Sequence, residues 1–192
     1  MVGILLAAGF SRRFGSADKL LHRLADGTPV GVAAAQNLLD ALPISVAVVR
    51  PDNQELALQL EAAGLQVVRC IEQEQLMADS LAAAIRFAAG LPEADSGFVI
   101  ALADMPFIRP DTITAVANTL TAGASIVVPT YQGQRGHPVG FAPKFRSELE
   151  KLEGDEGARS ILRRHASEIH LLECDDAGIL RDIDIPADID EV

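Results

Sequence analysis

FVIALADMP, residues 98–106, is an aliphatic run that stops at a carboxylate. Its apolar residues stand at consecutive rather than alternate positions, so both faces need cover, as in a parallel sheet sheathed by helices. The pattern predicts a strand over 97–101. Working outward, similar runs predict strands over 2–7, 45–49, 66–70 and 125–129. Segments of helical period lie between them, over 30–40, 53–63, 79–89 and 111–120. Gly64 closes the second helix, and Asp111 is the expected N-cap of the fourth. After Pro129 the rhythm shortens to a loop, TYQGQRGHP, a strand over 139–141, helices over 143–152 and 156–165, a strand over 169–173 and an acidic tail. The βαβα order predicts a doubly wound α/β domain, a mostly parallel sheet with helices on both faces. Ligands of such sheets bind outside the carboxyl ends of the strands, so the residues just past each strand are the ones to read for chemistry.

A chain of 192 residues fits one domain, and no repeat, low-complexity stretch or long linker divides it. Aromatics make up 4% with no Trp, and the net charge is −11. Both argue against a surface that stacks bases or tracks a phosphate backbone, so no nucleic acid is expected as a partner. The charge is uneven. Residues 1–23 carry Arg12, Arg13, Lys19 and Arg23 against Asp18 alone, whereas 173–192 carry eight acids against Arg181. The two segments can attract each other or jointly hold a metal–polyphosphate. Cys70 and Cys174 have no metal-ligand spacing and read as free thiols in a reducing cytoplasm. The opening VGILLAAG has no basic segment before it and runs into SRR, so it reads as a first strand rather than a leader. No apolar run is long enough to span a bilayer, and no membrane partner is expected.

Three strand-end motifs carry chemistry. In LLAAGFSRRFGSADKLL (5–21), the small residues Ala7, Ala8 and Gly9 let backbone amides approach phosphate oxygens, and Arg13 and Lys19 add cations. Neither a Walker loop nor a dinucleotide fingerprint is present, and a basic loop here also suits a plain surface turn. Asp104 ends the fourth strand, where it either holds Mg²⁺ beside substrate phosphates or caps a turn. In RDIDIPADID (181–190), period-2 geometry puts Asp182 and Asp184 on one face, where one of them can complete a metal site with Asp104; a solvated acidic tail is the plain alternative. Between these, Gly136 and His137 lie in a constrained loop that can present a polar group to a second substrate, and GDEGAR (154–159) opens a helix with Asp155 as its expected N-cap.

Together these pieces resemble the MobA-like nucleotidyltransferases. LAAGFSRRFGSADKLL is similar to that family's LAAGxSxRMGxxK signature, and the other landmarks follow in the family's order. They are Ser80-Leu81 opening a helix, Asp104-Met105-Pro106, Gly136-His137-Pro138-Val139-Gly140-Phe141, Gly154 to Arg159, and Asp182-Ile183-Asp184-Ile185-Pro186. Six ordered motifs cover nearly the whole chain. GHP with the DID-P tail is most similar to the molybdenum cofactor cytidylyltransferase branch. Two departures stand out: Phe14 replaces a usual Met, and Met77-Ala78-Asp79 replaces a Gly-rich stretch before Ser80.

The resemblance implies a Rossmann-like fold of the nucleotide-diphospho-sugar transferase type and transfer of CMP from CTP to a molybdopterin phosphate. It implies that Leu6, Ala7, Ala8, Gly9, Lys19 and Ser80 hold the NTP and that Lys19, Arg13 and Asp104 are catalytic. Asp104 and Asp184 would then bind Mg²⁺ or Mn²⁺, with His137 and Gly136 at the acceptor. Residues 1–129 form the nucleotide-binding half and 130–192 the acceptor-binding, metal-completing half, and a molybdoenzyme is the implied protein partner. Two alternatives stay open: the same chemistry with GTP or with a sugar or alcohol phosphate, and a cofactor-binding chaperone without transfer activity.

Overall fold

The computed structural model of the protein describes residues 1–9, 14, 18–71, 76–154, 156–185 and 188. Eight strands form one mixed sheet. β1 (Val2–Ala7), β2 (Ser45–Val49), β3 (Gln66–Arg69) and β4 (Phe98–Leu102) are parallel neighbours in the order β3-β2-β1-β4. Beyond β4 the antiparallel β7 (Val139–Phe141) is inserted against β5 (Ile126–Tyr131). The two-residue β6 (Gln134–Arg135) folds back on β5, and β8 (Ile169–Glu173) pairs parallel to β5. The helices are α1 (Val30–Ala41), α2 (Gln54–Ala63), α3 (Met77–Ala88), α4 (Pro110–Thr121), α5 (Arg146–Leu149) and α6 (Arg159–Arg164).

The sheet's period of two sorts the apolar residues between two cores. Leu5, Ala7, Ala47, Val49, Val99, Ala101 and Val127 join one core with residues of α1, α2 and α4. Val2, Ile4, Val46, Val48, Phe98, Ile100, Ile126 and Val128 join the other with α3, α5 and α6. Covered on both faces, the central strands need apolar residues at every position, which is why they read as continuous runs. The expected doubly wound fold is therefore present.

Local differences have local causes. α4 begins at Pro110 with Arg109 as its N-cap, not at Asp111; proline's fixed φ suits the first helical position, and Asp111 falls in the first turn instead. Of the helix expected over 143–152, Pro143–Phe145 is a 3₁₀ turn and only Arg146–Leu149 is α-helical. The helix expected over 156–165 begins at Arg159, and its proposed cap, Asp155, lies outside the described residues. Residues 181–184 form no strand. Gly64 ends α2 as expected, in the left-handed region at φ 112°, with its amide on the Glu61 and Leu60 carbonyls.

This topology brings the chemistry to one edge. β1, β2 and β4 run parallel, so Ala7, Val49 and Leu102 finish on the same side. β7 runs the other way, with Ile100 opposite Val139, so His137, ahead of β7, lies beside the carboxyl end of β4. Among the described residues, no helix is long and apolar enough to cross a membrane.

Candidate active site

Lys19 opens a 3₁₀ turn, Lys19–Leu21, whose N-cap Asp18 accepts a 3.0 Å hydrogen bond from the Leu20 amide. Its ammonium donates to Asp104 Oδ2 at 2.7 Å and to Asp184 Oδ1 at 3.3 Å. Three segments far apart in sequence thus meet at one cation. Burial lowers the lysine's pKa, but the charge and hydrogen bond of Asp104, and then those of Asp184, outweigh it and raise it above 10.5. Lys19 is a fixed positive charge at neutral pH.

A strap of backbone places Asp184. Asp176, 4% exposed, accepts hydrogen bonds from the Arg109 amide (2.9 Å), the Thr112 hydroxyl (2.7 Å) and the Gly178 amide (3.0 Å). The Ile179 carbonyl then accepts from the His137 amide at 3.1 Å, and the Ile183 amide donates to the Asp104 carbonyl at 2.9 Å. Ile183 is fully buried while Asp182 is exposed and Asp184 half-buried. Asp184, not Asp182, is the residue that joins Asp104 at Lys19. Asp188 closes the strap by accepting from the Asp184 and Ile185 amides, both at 2.8 Å.

Ala7 and Ala8 are buried at the end of β1, and Gly9 is exposed. Among the described residues, nothing lies within 4 Å of a Cβ placed on Gly9, so a ligand could approach the backbone there. Arg13 lies outside the described residues. Ser80 is 3% exposed, and its hydroxyl donates to the Met77 carbonyl at 3.0 Å, so it is engaged in its own helix.

Leu6, Gly136 and His137 share a cavity of about 270 Å³ with Met77, Arg135 and Arg159, over an aliphatic floor. His137 Nδ1 is buried, without a hydrogen-bond partner among the described residues. Burial lowers the ring's pKa, Asp104 opposes that, Arg159 adds to it and Asp182 opposes it; the net shift is downward. A cavity with an apolar floor, a neutral buried imidazole and a rim of Arg135 and Arg159 against the single acid Glu156 suits a ring system bearing an anion. Gly136 has a packing duty too: a Cβ on it would lie 2.3 Å from the Ile179 carbonyl oxygen.

The hard oxygen donors Asp104 and Asp184, already gathered around one cation, fit Mg²⁺ or Mn²⁺ rather than a metal that prefers imidazole or thiolate. Among the described residues no group of three or more His, Cys, Asp or Glu could hold a metal ion. A metal here needs phosphate oxygens and water to fill its shell.

A family profile described as the MobA-like NTP transferase domain matches residues 3–169. The chain belongs to this family. Within it, the chain is 30% identical to the purine catabolism protein PucB of Bacillus subtilis (strain 168), over all of this chain and 95% of that protein. The crystal structure of Rv0371c from Mycobacterium tuberculosis H37Rv superimposes with a TM-score of 0.80 at 27% identity, covering 99% of this chain and 95% of that one. A manganese complex of Rv0371c gives a TM-score of 0.80 at 25% identity, over 99% and 96% of the two chains. The family's description places the MobA-like protein among the NTP transferases, and the Rv0371c structures share its fold.

Sequence reasoning overlooked Arg50, Asn53 and Asp176. Arg50 directly follows β2, so the strand-end rule that singled out Asp104 applied to it as well. Asp176 had no comparable signal: its local bond from the Gly178 amide is an ordinary turn contact, and its Arg109 and Thr112 partners lie more than 60 residues away.

Proposed function

We propose that this MobA-like protein transfers CMP from CTP to the terminal phosphate of a molybdopterin cofactor and releases pyrophosphate. The observation that carries this reading is the convergence of Lys19, Asp104 and Asp184 at the carboxyl edge of the sheet. Residues 1–129 hold the nucleotide, and 130–192 hold the acceptor and complete the metal site. The choice of CTP and molybdopterin rests on the GHP and DID-P resemblance. The name of PucB agrees, since xanthine dehydrogenase-type enzymes act on purines and use the cytosine dinucleotide form of the cofactor.

The open backbone at Ala7–Gly9 receives the triphosphate, with Lys19 and Arg13 as its cations and Ser80 on the nucleotide side. Asp104 and Asp184 hold Mg²⁺ or Mn²⁺. The ion would neutralise charge on the α-phosphate and on the departing pyrophosphate. The use of manganese is supported by the Rv0371c complex. An oxygen of the acceptor phosphate attacks the α-phosphorus in line, the bond to the bridging oxygen breaks, and pyrophosphate leaves with that electron pair. The nucleophile is ionised at neutral pH, so no general base is needed. Catalysis is positioning and charge neutralisation, effects that reach about 7–11 kcal/mol when alignment is good. His137, held neutral, lines the acceptor side of the shared cavity, with Gly136 beside it.

The test is pyrophosphate release with Mg²⁺, molybdopterin and CTP, GTP, ATP or UTP in turn. Release with CTP alone is expected. Release with GTP alone would keep the chemistry and replace the base. Silence with all four, on intact acceptor, would refute transfer to molybdopterin and leave a sugar or alcohol phosphate acceptor, or a cofactor chaperone, to be tried.

A further inference from the structure

Arg50 directly follows β2 at the same edge of the sheet, and nothing in the proposed chemistry uses it. Its side chain is 15% exposed. Nη1 donates to the Gly9 carbonyl at 2.9 Å, and Nη2 lies 3.9 Å from Asp18 Oδ2. Gly9 stands two residues after β1, and Asp18 directly precedes Lys19. Asp18 also accepts from the Asn53 side-chain amide. Asn53 is 9% exposed, and its Oδ1 accepts from the Leu56 amide as the N-cap of α2. Asp52, at 3.0 Å from Arg50 Nε, orients the guanidinium from the solvent side.

We propose that Arg50 is a positioning residue. Its planar fork ties the two ends of the 9–18 segment together, with Asn53 as the second anchor, and thereby sets where Lys19 stands against Asp104 and Asp184. A guanidinium can do this because its donors point in fixed, divergent directions; an ammonium is a single point. The contact to Gly9 also fixes the carbonyl of the peptide in front of which the triphosphate would lie.

Only the kinetic part of the test rests on the nucleotidyltransferase reading. Full-length Arg50→Gln and Arg50→Lys are compared with the parent protein by amide hydrogen exchange and by pyrophosphate release with Mg·CTP and molybdopterin. In Arg50→Gln, the Leu20–His22 amides should exchange roughly tenfold faster or more, the consequence of losing a charge-assisted anchor, while α3 amides are unchanged. kcat should fall on the order of 100-fold, the scale of an ångström-sized misplacement, with KM for CTP nearly unchanged. Arg50→Lys should restore neither. Unchanged exchange at Leu20–His22 would overturn the proposal. So would a raised KM with normal kcat, which would make Arg50 a nucleotide contact, or full recovery in Arg50→Lys, which would make charge alone sufficient. If the parent protein releases no pyrophosphate with any NTP, the functional reading fails, and the exchange result still decides the role of Arg50.

Discussion

An ammonium group placed between two carboxylates, with a tenth of its side chain open to water, keeps its proton. Lys19 thus offsets one of the two negative charges of Asp104 and Asp184, and its loss leaves two carboxylates facing each other. Lys19→Met or Asp104→Asn should lower turnover on the order of 10²- to 10³-fold, as removal of one preorganised charge does elsewhere, with the far-ultraviolet circular dichroism unchanged. Near-normal turnover in both variants would end the catalytic assignment. At Gly9 the prediction has the opposite balance. A Cβ there meets no atom of the described residues within 4 Å, so Gly9→Val should unfold at the parent's temperature yet bind Mg·CTP more weakly, because the side chain occupies the ligand's approach. Titration calorimetry alongside thermal unfolding separates the two effects. His137 makes a third residue-scale prediction. Its folded pKa is held below 6.5, mainly by burial, so the folded chain resists a proton that the unfolded chain accepts. The stability linked to this ring is present above pH 6.5 and is lost as the pH falls from there through the folded value. Between pH 7 and pH 5 the unfolding temperature of His137→Gln should fall less than that of the parent; parallel curves would show that the ring is not held neutral.

At the scale of elements, the strap over 176–184 does what a catalytic strand would do elsewhere. Asp176 collects three hydrogen bonds at its start, and the Ile183 amide binds the Asp104 carbonyl near its end. Asp176→Ala orphans a buried hydroxyl and two amides. It should cost about 2–4 kcal/mol in urea unfolding and lower turnover although Asp176 touches no substrate; full activity in a destabilised protein would detach the strap from catalysis. The elements differ in how well the sequence forecast them. β1, β2 and β7 have the boundaries that aliphatic runs predict, because burial on both faces leaves an uninterrupted pattern; β8 has its expected boundaries as well, although no residue of it is fully buried. The tail misleads for a related reason. Ile183 buries while Asp182 and Ile185 face water, so alternation of Asp and Ile imitates a strand without a partner strand to form one. The hairpin of β5 and β6 at 130–135 reads as loop, since two residues hold no periodicity. Asp104 and Lys19 were legible from their places after strands, and Arg50 stands directly after one too; the distant partners that Arg50 and Asp176 hold are tertiary, and residue spacing does not encode them.

For the whole molecule, the decisive property is that the site is assembled from distant pieces: the turn after β1, the end of β4 and the strap near the C-terminus. Such a site provides two carboxylates and a competing ammonium, and among its described residues the MobA-like protein has no group of three or more His, Cys, Asp or Glu that could hold a metal ion. Mg²⁺ and Mn²⁺ bound through one or two carboxylates keep several waters and rely on substrate phosphates for the remainder. Metal and nucleotide should therefore bind cooperatively, each weakly alone. Mn²⁺ titrated into the protein and followed by electron paramagnetic resonance should show weak binding that tightens by at least about tenfold with CTP present, and the reciprocal titration must give the same factor because linkage is symmetric. Asp184→Asn should remove most of that coupling while leaving the fold intact, since Asp184 is half-buried and its amide, not its side chain, is held by Asp188. If Mn²⁺ binds tightly without nucleotide, or if Asp184→Asn leaves the coupling untouched, the metal is held by other groups, and the convergence at Lys19 is an internal salt bridge alone.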